Sequence, residues 1–258
     1  MERIKARWNA IFALNLHHPV ASWARPWRSR SRALRGKKSW HEQPTCLPQV
    51  DWSSVFQKRK VSLAETRKSS GNVTLGELAI LAQAAAGCPA GHEIVEIGTF
   101  DGRTTINLAL NAPAGSPIFT LDLPADQPTL FRLEAGERQY VEKPHPGARF
   151  RECPPHLSSA ARRITQLFAD SATFDWSAHH GKAGLVFVDG SHAYDYARMD
   201  SMTAMRLVAG NAAVLWHDYG VWEGVTRALE ELERTMNLGL RHIRGTSLVL
   251  WRTPERAP

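Results

Sequence analysis

A chain of 258 residues and 28.8 kDa, 43% hydrophobic and 22% charged, is long enough for one domain with a buried core and an appendage. That composition excludes a disordered chain, and no run of about 18 apolar residues marks a membrane span. Cys46, Cys88 and Cys153 lie far apart, without the spacing of a disulfide framework or a zinc site, which fits a reducing, cytoplasmic compartment.

The net charge of +7 is unevenly spread. Residues 1–50 hold ten Lys and Arg against two acids, so the rest of the chain sums to −1. A neutral body argues against a nucleic-acid enzyme, which usually carries positive charge around its own cleft. Residues 1–58 are read as a basic, Trp-rich extension and residues 59–258 as the domain. In the extension Ile4, Trp8, Ile11 and Phe12 recur at helical spacing, predicting a short amphipathic helix over residues 2–16 before a basic arm, Arg25–Lys38. Cations interleaved with Trp23, Trp27 and Trp40 suit an anionic membrane surface or nucleic acid. An Arg- and Ser-rich, acid-poor start also has the composition of an organelle transit peptide. The plainest reading is a poorly ordered terminus.

From about residue 72 the pattern changes. Val73–Ala86 reads as a helix capped by Thr74 and stopped by Gly87 and Pro89. Apolar runs at Ile94–Ile97, Ile118–Leu123, Ile164–Phe168, Leu185–Val188 and Ala212–Trp216 read as buried strands. Thr104–Leu110, Tyr194–Val208 and Val225–Met236 read as helices between or after them. Strands alternating with helices imply an α/β fold with a parallel sheet that collects ligands at the carboxyl ends of its strands.

Those ends carry the informative residues. Glu93–Thr105 (EIVEIGTFDGRTT) runs from a strand through a glycine-bearing turn into a helix. Gly98 lets backbone approach a ligand, and Gly102 lets the helix start tight against it. The spacing E-x-G-x-x-x-G is not the dinucleotide fingerprint. An acid at Glu96 repels a pyrophosphate but attracts an ammonium group, which suits a ligand with an amino-acid moiety. Asp122 ends the next strand, where a carboxylate can accept both hydroxyls of a ribose. Asp170-Ser171 follows Phe168 and could meet an adenine amino group, and Asp189-Gly190-Ser191-His192 follows Val188. Each acid alone is an ordinary turn residue; four in succession at the ligand-binding end exceed what capping requires.

In these segments the sequence resembles the class I S-adenosylmethionine-dependent methyltransferases, in the bacterial small-molecule branch related to the metal-dependent O-methyltransferases. The resemblance runs over residues 60–252. It is carried by Val95–Thr105, Phe119–Leu123, QLFADSATFDW at 166–176, LVFVDGSHAY at 185–194, VLWHDY at 214–219, GVTRALEEL at 224–232 and GTSLVLW at 245–251. It implies a Rossmann-like, seven-stranded, mostly parallel sheet flanked by helices. It also implies that S-adenosylmethionine is held by Glu96, Gly98, Thr99, Gly102, Asp122, Asp170, Ser171 and Asp189. Two positions depart from the pattern: Ala169 stands where a glycine is usual, and Asn211 replaces the second glycine of the turn before Ala212.

Asp189, His192, His217 and Asp218 fall at adjacent strand ends, and two carboxylates with two imidazoles can hold a divalent ion. In the metal-dependent relatives an acid after the fourth strand and an acid pair after the fifth bind magnesium. Here the pair is His217-Asp218, so Asp189, His217 and Asp218 form a partial match. An imidazole favours manganese, iron or zinc over magnesium. The alternatives are that His192 or His217 acts as a general base beside Asp218 without a metal, or that His217 is simply a satisfied strand-end histidine.

Pro124–Pro155 is a long polar insertion suited to a lid or substrate wall. The function expected is methyl transfer to a small-molecule hydroxyl. The competing readings are a SAM-binding regulatory module without transfer, and an RNA methyltransferase anchored by the basic arm. The partners expected are a small acceptor, a membrane surface for residues 1–50 and a second copy of this chain, with nucleic acid disfavoured.

Overall fold

The computed structural model describes residues 43–66, 71–141 and 145–253. The helix expected over residues 2–16, the basic arm and the four tryptophans up to Trp40 lie outside them. Eight strands form one sheet: β1 (Gln49–Val50), β2 (Glu93–Ile97), β3 (Ile118–Asp122), β4 (Ile164–Phe168), β5 (Ala183–Val188), β6 (Val208–Trp216), β7 (Arg241–Ile243) and β8 (Val249–Arg252). Their order is β1-β7-β8-β6-β5-β2-β3-β4. Every pairing is parallel except those of β8, which runs antiparallel to both β6 and β7. The sheet has one strand more than expected. The addition is β1, whose Gln49 and Val50 pair with His242 and Ile243.

That strand also moves the start of the folded part. Trp52 and Phe56 are buried in the core. The backbone amides of Cys46 and Leu47 both donate to the Tyr219 hydroxyl at 3.1 Å. Residues assigned by charge to the extension are thus built into the sheet and its core, because the apolar side chains there outweigh the basic composition of the residues before them.

Eight α-helices accompany the sheet among the described residues: α1 (Trp52–Val55), α2 (Leu75–Ala86), α3 (Arg103–Asn111), α4 (Arg138–Val141), α5 (Ala148–Arg151), α6 (Ser158–Ala161), α7 (Tyr194–Leu207) and α8 (Glu223–Met236). Strand side chains alternate between faces, as the pleat requires. Ile94, Phe187 and Leu215 pack with α2 and α3 on one side. Val95, Val186, Val214 and Trp216 pack with α7 and α8 on the other. The chain runs outward from β2 through β3 to β4, then returns to lay β5 and β6 on the opposite side of β2. The order therefore reverses between β2 and β5, and a crevice opens at their carboxyl ends. Among the described residues no helix is long and apolar enough to cross a membrane.

The turn before the apolar part of β6 explains one departure from the resemblance. Asn211 adopts φ +56°, the left-handed conformation that a glycine would supply and that Asn tolerates better than most residues.

Candidate active site

A cleft of about 160 Å³ occupies the crevice. Its floor is the β2–α3 turn. Gly98 has φ +101°, and a Cβ there would stand 2.1 Å from the Asp189 carbonyl oxygen. The turn therefore needs glycine both for its conformation and for its close approach to the end of β5. Thr99, Asp122, Asp170, Ser171, Asp189, His192 and Asp218 line the same cleft. The predicted strand-end residues are thus largely brought together.

Three of the predicted residues sit elsewhere. Glu96 is fully buried behind the turn and does not line the cleft. Its Oε2 accepts from the hydroxyls of Thr105 and of Thr120, the latter at 2.7 Å. Burial pushes its carboxyl up to about 8, against the opposing effect of those two hydroxyls. It acts as an internal prop for the turn. Gly102 caps α3 with φ +83°, but what fills the space beside it is the Phe150 ring, 2.5 Å from where a Cβ would lie. His217 lies behind the cleft wall, almost wholly buried.

At the adenine end expected from the resemblance, Asp170 is already engaged. Its Oδ2 accepts from the Leu130 amide and the Tyr196 hydroxyl, both at 2.7 Å, and its Oδ1 accepts from the Ala172 amide at 3.0 Å. An ionised carboxylate offers about four lone-pair sites, so little acceptor capacity is left for a ligand. Ser171 stays on the cleft surface beside it.

The opposite end is a cluster of acids and imidazoles. His217 Nδ1 stands 3.1 Å from Asp189 Oδ1 and 3.2 Å from Asp218 Oδ2, while its Nε2 faces Glu77 Oε2 at 3.5 Å. Burial opposes charge on this ring, but Asp218 and Asp189 outweigh it and hold the imidazole well above its ordinary range. His192 is clamped between two carboxylates, with Nε2 2.8 Å from Asp218 Oδ2 and Nδ1 2.5 Å from Glu137 Oε1. It also stacks on Trp222 at 4.4 Å and 12°. Burial alone would lower its pKa; the carboxylates on both nitrogens raise it to about 9. In this arrangement His192 holds its proton, so it cannot serve as a general base unless Glu137 withdraws. Asp218 sits at φ +65°, a strained conformation for a non-glycine residue, and its amide donates to Ser247 Oγ at 3.3 Å.

Sequence reading missed Glu77 and Glu137. Glu77 announces itself as the fourth residue of a Thr-x-x-Glu capping box. In the structure it completes that box with Thr74, accepts from the Ser247 amide and hydroxyl at 2.7 and 2.9 Å, and faces His217. Glu137 lies within the polar insertion, where no periodicity separates it from its neighbours.

Residues 95–219 match the model of a family described as a methyltransferase domain. By that match the segment is similar to a methyltransferase domain. The strand order of the whole sheet and its single antiparallel strand, β8, give the class I methyltransferase fold. Three solved structures illustrate the likeness of the domain to known proteins. One is Rv0187 from MTB, cofactor-bound, 18% identical over 75% of this chain and 84% of that one, at TM-score 0.48. A second is the O-methyltransferase TomG from Streptomyces achromogenes, involved in tomaymycin synthesis and in complex with SAM, 21% identical over 70% and 82%, at 0.47. A third is an O-methyltransferase from Bacillus cereus in complex with SAH, 14% identical over 74% and 84%, at 0.47. No curated protein matches the chain.

Proposed function

We propose that this chain transfers the methyl group of S-adenosylmethionine to a hydroxyl of a small-molecule acceptor. The observation that carries this reading is the continuity of one cleft, from the Gly98 turn and Asp122 at one end to Asp189, His192 and Asp218 at the other. The residues fit the nucleoside and amino-acid parts of that cofactor. Gly98 leaves a cradle that any Cβ would fill, Asp122 offers a buried carboxylate at the end of β3 for a ribose, and Ser171 offers a hydroxyl beside the third strand end. When bound, S-adenosylmethionine supplies a methyl group on a cationic sulfonium, open to in-line displacement.

The chain's own part is to position and to manage charge. The Gly98 turn and Asp122 fix one reactant along the strand ends. Asp189 and Asp218 stand at the far end, where a hydroxyl must lose its proton. Tyr140, Leu133 and Val141, all from the insertion, cover the cleft and restrict water.

The cluster also fits a divalent ion. The ligand atoms of Asp189, His217 and Asp218 all lie within 4.8 Å of one another. Donors at right angles around an ion bound at roughly 2.1 Å stand about 3 Å apart, which agrees with the 3.1 and 3.2 Å separations from His217 Nδ1. Two carboxylates and one imidazole suit manganese, zinc or iron better than magnesium, and Glu77 would fix the tautomer of His217 from outside. Such an ion would lower the pKa of an acceptor hydroxyl.

The test is calorimetric titration of S-adenosylhomocysteine into the protein, followed by an acceptor screen with and without divalent metals. Affinity near micromolar, about −8 kcal/mol, supports the reading; a folded protein that binds none of it overturns the reading. Asp218→Ala should abolish turnover of any acceptor found, and unchanged turnover would remove this cluster from the mechanism.

A further inference from the structure

Glu137 is 3% exposed, although it comes from the polar insertion. Its carboxylate is held by groups of the β5–α7 connection. Oε2 accepts from Ser191 Oγ at 2.9 Å; Oε1 accepts from the His192 amide and faces His192 Nδ1 at 2.5 Å. The Glu134 amide, from the insertion's own backbone, donates to Oε2 at 2.6 Å. A buried carboxylate is costly unless its oxygens meet donors. Here three donors of the domain converge on it, at the amino end of the 14-residue helix α7, where backbone N–H groups and the helix dipole favour an anion.

This position is inside the cleft already assigned to the acceptor. Glu137, Ser191, His192 and Asp218 all line it, and the imidazole that faces Glu137 on one nitrogen bonds Asp218 on the other. The insertion also lines the same cleft with the apolar surfaces of Leu133, Tyr140 and Val141, the Tyr140 ring standing edge-on to both Phe100 and His192. An anionic group flanked by apolar and aromatic walls has the make-up of a bound organic acid, supplied from within.

We infer that Ser191 Oγ–H, the His192 amide and the His192 ring form a carboxylate subsite, that Glu137 occupies it as an internal stand-in, and that the acceptors are hydroxyl compounds bearing a carboxylate. This rests on the methyl-transfer reading above and adds the class of acceptor to it. A carboxylate seated there holds the remainder of the acceptor beside Asp218, and Glu137 must yield first. The insertion is therefore a competitor as well as a cover.

The test uses the full chain and its Glu137→Ala and Glu137→Gln variants, titrated with benzoate and with its neutral isostere benzamide. Acetate and acetamide serve as a smaller pair. Removing the competing carboxylate should tighten benzoate or acetate binding by about tenfold or more in Glu137→Ala, and less in Glu137→Gln, while the amides change by less than about twofold. Adding Ser191→Ala to Glu137→Ala should reverse much of the gain. Carboxylates that bind the variants no better than the native chain, or amides that gain equally, overturn the subsite. Thermal unfolding shows that each variant is folded, and Glu137→Gln preserves the shape of the side chain if Glu137→Ala does not fold. The titrations are run with and without S-adenosylhomocysteine. Failure of that ligand to bind would remove the methyl-transfer reading, while the carboxylate series still decides whether the subsite exists.

Discussion

Glu77 and His217 meet behind the wall of the cleft, with Oε2 3.5 Å from Nε2, although 140 positions separate them in the chain. One carboxylate thereby closes the amino end of α2, anchors Ser247 and braces the imidazole of the acid cluster. Replacing it with alanine strands a buried ring and a buried serine together. Glu77→Ala should lose about 3 kcal/mol or more of stability in urea unfolding. In Glu77→Gln, which keeps most of the packing, divalent-ion affinity measured by calorimetry should fall by roughly 10- to 100-fold. Unchanged ion affinity in a folded Glu77→Gln protein would show that Glu77 is a helix cap and nothing more.

Asp200, on α7, is fully buried against Gly190, with its Oδ2 3.1 Å from where a Cβ of Gly190 would lie. Burial raises its carboxyl from 3.8 to about 7; the Ser171 hydroxyl opposes that rise and the Asp170 charge adds to it. The folded state thus prefers the protonated acid. Its contribution to stability is fully present below pH about 4, where folded and unfolded chains are both protonated. It declines by about 1.4 kcal/mol per pH unit as the pH rises towards 7, and is lost above that. Asp200→Asn should flatten this part of the stability–pH curve and be the more stable protein at pH 8. Parallel urea midpoints at pH 5 and pH 8 would check it.

Gly98 and Gly181 both have positive φ, at +101° and +69°, but only Gly98 has a wall against it. Gly181→Ala should cost only the backbone strain, about 1–2 kcal/mol. Gly98→Ala must also push the Asp189 carbonyl aside, so it should disturb the cleft floor and abolish S-adenosylhomocysteine binding. Comparable binding in the two variants would show that the close approach of β2 and β5 is irrelevant to the ligand.

Asp122→Ala removes a carboxylate that lines the cleft. Loss of hydrogen bonds to a charged partner corresponds to about 1.5–3 kcal/mol, or roughly 10- to 100-fold weaker S-adenosylhomocysteine binding with the melting temperature little changed. Wild-type affinity in this variant would mean that the ribose is held elsewhere.

The sheet was largely legible in the sequence because its central strands are buried on both faces and read as continuous apolar runs: Ile94–Ile97 and Leu185–Val188 lie within β2 and β5. The two- and three-residue strands β1 and β7 were not, since so few residues carry no period and the pairing between them joins positions almost 200 apart. In the site, Asp122, Asp170, Asp189 and Asp218 were found because strand ends are the one place where local pattern predicts spatial neighbourhood. Glu96 was placed correctly in sequence but points behind the turn, and the direction of a side chain at a strand end depends on the pleat and on neighbours such as Thr105 and Thr120. Glu137 had no local signal, because its role comes from a contact with His192 across 55 positions.

The insertion of β8 between β6 and β7 has a consequence for synthesis. On the ribosome, β2 to β6 emerge before β7 and β8, and β6 must wait with an unpaired edge until Val249–Arg252 has been made. The N-terminal β1 waits longer, because β7, its one partner strand among the described residues, needs β8 to bridge it to the rest of the sheet. Nascent chains stopped before residue 249 should therefore display the apolar flank of β6 to chaperones, and the sheet is completed only once Val249–Arg252 has been made.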